Sequence, residues 1–257
     1  MKKYIGCGLM IIGMQYTFAN ENIMKDAYRN YDASQQCYMA MNKTEYSVDK
    51  FCMKLHAKET VENDNFQDQF KTYYLAVGNN VDDAHMASGN IGLIIEDNGE
   101  GYDNRLIAQE KYISAGSFGY APIDYKFNKI GFNSYGFFTE TGYTGQGITQ
   151  GGILIIGDND GKAFNAYIPS FFDNGGFTDE ESKMESISAS YKILQDNQKH
   201  IYPIEITFNG KYEGKEYRQK SYVLQFDEKK QQYILPSDYP FVTNQINNTS
   251  EISLQVK

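Results

Sequence analysis

The chain has 257 residues, 33 acidic against 24 basic side chains, and a formal charge of −9. That balance repels nucleic acid and anionic membrane surfaces, and the longest basic run, Lys229-Lys230, is too short to act as a local exception. Tryptophan is absent while tyrosine reaches 22 and phenylalanine 16, so aromatic rings must supply much of the core, a composition that favours strands.

Residues 1–19 have the layout of an export signal. Lys2 and Lys3 precede an apolar run over 4–14, and Thr17-Phe18-Ala19 leads into polar Asn20-Glu21-Asn22. The run falls short of the roughly 20 apolar residues a membrane-spanning helix needs, so cleavage after Ala19 is expected and membrane insertion is not. Cys7 comes too early, and too close to bulky Tyr4, to read as a lipid-anchor site. Loss of Lys2 and Lys3 moves the charge from −9 to −11. The expected address is a bacterial periplasm, with secretion as the alternative. In that oxidising setting the remaining pair, Cys37 and Cys52, reads as a disulfide.

Three helices are predicted in the N-terminal region, 20–88. Ile23, Ala27, Tyr31, Ser34, Tyr38 and Met41 recur at steps of three and four, one helical face. A second helix starts at Ser47, which would cap it with Asp49 in the first turn, and presents Val48, Phe51, Cys52 and Leu55. The Cys37–Cys52 bridge then staples a helical hairpin. The third helix, 65–77, carries Phe66, Phe70, Tyr73, Tyr74 and Val77.

Beyond Gly78-Asn79-Asn80 the pattern changes. Gly, Asn and Asp recur every few residues between short runs of Ile, Tyr and Phe, the mark of an antiparallel meander. Strands are predicted at 91–95, 105–114, 123–127, 135–139, 152–156, 163–168, 186–194, 201–208, 216–226 and 232–235, with a polar loop at 172–182 and a flexible tail at 241–257. The expected class is α+β: a disulfide-stapled helical hairpin and a third helix packed on a Tyr/Phe-rich antiparallel sheet, 89–240, in the same compact unit.

Two segments look alike. "LIIEDN" at 93–98 and "LIIGDN" at 154–159 both run into acidic, glycine-containing turns. Asp158 and Asp160 are spaced as calcium ligands would be, but no full loop with a terminal Glu follows, so hairpin turn chemistry is the favoured reading and calcium the weaker one. No other cofactor is implied.

Recognisable catalytic motifs are missing: no nucleophile elbow, no zinc-binding helix pair and no phosphate-loop lysine. His56, His85 and His200 are scattered, Glu140 lies at the glycine-rich stretch 135–152, and Asp124 and Asp173 lie in loops or strand ends nearby. The balance is therefore against an enzyme. The expected function is an exported binding protein, an inhibitor or immunity-type protein for a basic, secreted or cell-wall-targeting partner. A small-molecule or glycan binder and a weak carboxylate-dependent hydrolase are the alternatives.

The stretch 135–152 itself, "YGFFTETGYTGQGITQGG", holds six glycines and four aromatic residues. With no lysine and no following helix it does not fit a phosphate loop. It reads as two strands joined by an exposed turn over about 140–150, with Glu140, Tyr143, Thr144 and Gln146 as candidate partner-binding residues.

Overall fold

The computed structural model describes residues 15–45, 47–63, 69–82, 87–99 and 105–242. Strands make up 66% of it and helix 5%, so the α+β expectation gives way to a nearly all-β protein. Helix α1 (Gln15–Tyr28) is followed by two antiparallel sheets in which strand order follows chain order. The first contains β1 (Asn30–Asp32), β2 (Cys37–Lys43), β3 (Val48–Glu62), β4 (Gln69–Asn80), β5 (Gly89–Gly99) and β6 (Arg105–Ala115). The second contains β7 (Lys126–Gly131), β8 (Ser134–Gly145), β9 (Ile148–Asn159), β10 (Lys162–Asp173), β11 (Ser186–Ile193), β12 (Ile204–Tyr212), β13 (Lys215–Asp227) and β14 (Gln232–Ile234).

Each predicted helix is corrected for a physical reason. The first is real only to Tyr28: Ile23, Met24, Ala27 and Tyr28 form its buried stripe. Arg29 then adopts a left-handed conformation, φ 63°, which ends the helix, and Tyr31 and Tyr38 fall on β1 and β2. The second is strand β3, in which Phe51 and Met53 alternate into the core while Val48 stays exposed. Of the third, 65–68 lies outside the described residues, and the rest is β4. Here Tyr73, Leu75 and Val77 face one layer, Tyr74 and Ala76 the other. A strand buried on both faces loses the polar alternation that would separate it from a buried helix. Cys37 and Cys52 are bonded, but they join neighbouring strands β2 and β3 rather than two helices. Closing a loop of 15 residues contributes roughly 3 kcal/mol.

The ten predicted strands correspond in order to β5–β14. Most of 123–127 is a strap, since β7 begins only at Lys126. The apolar run 4–14 and residues 243–257 lie outside the described residues. Helix α1 runs across the expected cleavage point at Ala19, and Ile23, Met24, Ala27 and Tyr28, after that point, pack into the core. Phe241, assigned to the fraying tail, is buried in the core beside Tyr239. Among the described residues, no helix is long and apolar enough to cross a membrane.

Three apolar layers result. Helix α1 covers the outer face of the first sheet over Phe51, Met53, Tyr74 and Ile94. Between the sheets, Tyr73, Leu75, Ile91, Leu93 and Ile95 meet Phe137, Leu154 and Ile156. On the far face of the second sheet, Phe138, Ile153, Ile155 and Ile168 pack with Ile204, Phe208, Leu224 and Phe241. The look-alike segments are the interior strands β5 and β9, each buried on both faces. Truncating one of their isoleucines to alanine costs about 2–5 kcal/mol.

The second sheet folds back on itself. Phe132 N–H donates to His200 O (3.1 Å) and Tyr202 N–H to Ile130 O (2.6 Å), which ties edge strand β7 to the segment leading into β12. This curl makes one face of the sheet concave.

Candidate functional site

Residues 116–125 form a strap that carries the chain from the first sheet to the second, and it is fastened on both sides. Asn80 N–H donates to Gly119 O (2.7 Å), Ala121 N–H to Asn79 Oδ1 (3.2 Å) and Gly116 N–H to Thr141 Oγ1 (2.7 Å). A further tie comes from a β-bulge. Leu55 pairs with Ala76 and Ala57 with Leu75, so His56 is the extra residue of β3. A bulge re-aims the side chain it carries. Here the imidazole Nε2–H reaches Ile123 O at 2.8 Å, and the ring lies 5.4 Å from that of Tyr125.

Between the strap and the concave face lies a cleft of about 600 Å³. Its floor is Phe138, Ile153 and Tyr191, with the Phe138 and Tyr191 rings stacked at 5.1 Å and 11°. Ile123 and Tyr125 form the strap-side wall, and Asp124, Lys126, Thr139 and Glu140 supply the polar groups. Burial, and then the negative charge of Glu140, push the Tyr191 phenol above its ordinary pKa, and Glu140 lines the same cleft as the stacked pair. Burial alone raises Tyr125, whose enclosed hydroxyl has no hydrogen-bond partner among the described residues. At the strap, Ile123 (64% exposed), Tyr120 (63%) and Phe118 (47%) stand in solvent.

Aromatic faces beside carboxylates suit a cation carried on an apolar stem. The ring quadrupole attracts the charge and the carboxylate accepts a charge-assisted hydrogen bond. Lysine and arginine side chains have that form.

The glycine-rich stretch is less of a loop than its sequence suggests. The ladder from Glu140↔Ile153 to Gly145↔Ile148 is continuous, so the turn shrinks from the expected 140–150 to Gln146-Gly147, with φ of 52° and 77°. Thr144 and Thr149 share a hydroxyl hydrogen bond (2.9 Å), and Tyr143 stacks on Phe118 at 6.4 Å. A Cβ at Gly151 would strike the ring of Phe171, which the bulge between Pro169 and Phe171 lays over this hairpin. Of the four candidate residues, Glu140 lines the cleft; Tyr143, Thr144 and Gln146 do not.

Asp124 also lines the cleft, whereas Asp173 ends β10 and accepts from Gly175 N–H (2.9 Å). His85 lies outside the described residues. The missing members of the site were His56, Tyr125 and Tyr191. A bulge leaves no sequence signal, but alternation of Ala189, Tyr191 and Ile193 along the predicted strand 186–194 does put Tyr191 on the inner face.

Asp158 and Asp160 lie at the opposite end of the sandwich. Asp158 is fully buried: Oδ2 accepts from Lys71 Nζ (2.7 Å) and Tyr73 Oη (3.1 Å), and Oδ1 from Gly161 N–H (2.7 Å). Its charge is thus answered by a lysine of the other sheet. Asp160-Gly161, with φ of 49° and 75°, is the two-residue turn of the β9–β10 hairpin. An open polar hollow above this seam also holds Asp97 and Arg105, which pair with each other at 3.6 Å. Among the described residues no three His, Cys, Asp or Glu side chains gather as a metal site.

Comparison of the chain with protein-family models, with curated protein sequences and with solved structures gave no match, so the functional argument rests on the cleft itself.

Proposed function

We propose that the protein is an exported, non-catalytic binding protein for a basic protein partner, of inhibitor or immunity type, and that the cleft under the strap is its recognition site. The observation that carries this reading is the juxtaposition of Glu140 with the stacked Phe138 and Tyr191 rings, at the mouth of a curled sheet and beside exposed Ile123 and Tyr120. Concave, largely apolar sites with a few convergent polar groups are the usual form of a ligand site. The charge of −9 adds long-range attraction for a cationic partner.

The test is titration of the purified chain against basic secreted cell-wall hydrolases, reading both binding and inhibition. Saturable binding that Tyr191→Ala weakens by about tenfold or more supports the reading. Binding indifferent to that substitution, or none across the panel, contradicts it.

A hydrolytic reading has one observation in its favour, the presence of Glu140 and Asp124 in the same cleft. It requires turnover of a glycosidic substrate that Glu140→Gln abolishes while binding persists.

A further inference from the structure

Beside the cleft, β8 changes from an interior strand to an edge. Strand β7 pairs with it only from Gly131↔Ser134 to Lys126↔Phe138, while its ladder with β9 runs on to Gly145↔Ile148. From residue 139 onward no strand among the described residues pairs with its outer side. The strap passes there, yet among the described residues no backbone–backbone hydrogen bond joins it to 139–142; the link from Gly116 ends on the Thr141 hydroxyl.

An open edge presents N–H and C=O groups that template further strand pairing, and proteins ordinarily guard it with lysine, proline, a bulge or a covering element. Another open edge of this sheet is guarded. β14 pairs only with Gln225, Phe226 and Asp227 of β13, and the uncovered part of β13 carries Lys215, Arg218 and Lys220 and an extra residue, Gln219, at φ 54°. The sequence of β8 over 139–142, Thr-Glu-Thr-Gly, has no lysine, proline or bulge, its register with β9 is unbroken, and the strap that borders it leaves the cleft between them.

We propose that the partner docks as an extended basic segment that adds a strand to this edge of β8 and sends alternate basic side chains into the cleft. The proposal rests on the reading of the cleft as a protein-binding site and specifies the form of the partner. Residues alternate faces along a strand, so Phe138 and Glu140 share the face that looks toward Tyr191. A side chain of the added strand on that face meets Glu140 and the stacked rings. Asp124 on the strap adds a second negative charge, and Lys126, where β7 begins, disfavours a basic side chain at that end. Backbone pairing supplies affinity and the pocket for alternate side chains supplies selectivity, the division typical of strand addition.

Fluorescence anisotropy of the full chain with a labelled short peptide of alternating lysine and valine tests this. Two further peptides are N-methylated, one on every lysine and one on every valine. In a strand the N–H groups of alternate residues point to the same edge, so only one methylated set faces β8. The expected result is saturable binding of the parent peptide, loss of about tenfold or more with one methylated peptide but not the other, and weakening by Glu140→Lys. An alternating glutamate–valine peptide should bind far more weakly. Equal binding of both methylated peptides, or no saturable binding of the parent, overturns strand addition. The Tyr191→Ala titration against basic proteins decides the cleft reading separately, because it does not depend on how the partner's backbone is arranged.

Discussion

The two ends of the inter-sheet layer solve the same problem in opposite ways. At one end Lys71 of the first sheet and Asp158 of the second are both buried and paired, with Tyr73 and the Gly161 amide also bonded to the carboxylate. Eight residues along β4, about 26 Å at strand spacing, Asn79 and Asn80 hold the strap at the other end. There the enclosed Tyr125 hydroxyl has no partner among the described residues, aromatic side chains face solvent, and β8 runs on past the end of β7. The first end is closed at its centre by a buried ion pair, with the polar hollow around Asp97 and exposed Phe70 and Phe132 at its rim. The other holds an aromatic cleft beside a strand edge.

Alkali should act on both ends together and most strongly. Burial raises the phenols of Tyr73, at the closed end, and Tyr125, at the open end, along with those of Tyr233 and Tyr239, while the same side chains ionise near pH 10 once unfolded. Because the folded pKa values are raised, this stabilisation is fully present below pH 10 and is lost as pH climbs above it. Denaturant unfolding at increasing pH should show the midpoint falling through that window; a flat midpoint would contradict the burial of these tyrosines.

Substitutions should separate the ends. Asp158→Ala leaves the Lys71 ammonium buried without its partner and is expected to cost about 3–5 kcal/mol, read as a lower denaturation midpoint. His56→Ala removes one hydrogen bond from the strap and should cost only about 1 kcal/mol, with faster amide exchange confined to 119–125. Glu140→Gln, at an exposed position, should leave stability within about 0.5 kcal/mol while weakening partner binding. If Glu140→Gln were to destabilise the fold as much as Asp158→Ala does, the contrast between a structural and a functional end would collapse.

The sequence revealed the second half of the molecule better than the first, and the reasons lie in particular strands. From β5 onward, Gly, Asn and Asp mark turns between short apolar runs, and the Asp160-Gly161 turn is where an Asp-Gly pair predicts it. In β3 Phe51 and Met53 do alternate into the core, but Val48, Phe51, Cys52 and Leu55 also fit helical spacing, and in β4 the run Tyr73-Tyr74-Leu75-Ala76-Val77 is buried on both faces and carries no alternation. Spacing alone then imitates a helix. Of the site, Glu140 was within reach because it adjoins a conspicuous glycine-rich stretch, and Asp124 because it lies nearby. The glycines misdirected attention to the turn, where Tyr143, Thr144 and Gln146 lie off the cleft. Gly142 and Gly151 serve the close approach of Phe171 over the hairpin. The cleft depends on the curl of the second sheet, which brings β8 and β11 together from positions some fifty residues apart, and no local pattern encodes that.

The most direct test of the contrast is hydrogen exchange across the whole chain, with and without a saturating alternating lysine–valine peptide. The account predicts new protection in the strap, at 119–126, and along β8 at 139–142, with no change at Lys71, Tyr73 or Asp158. Protection centred on the Lys71–Asp158 seam, or spread evenly over the acidic surface, would contradict it.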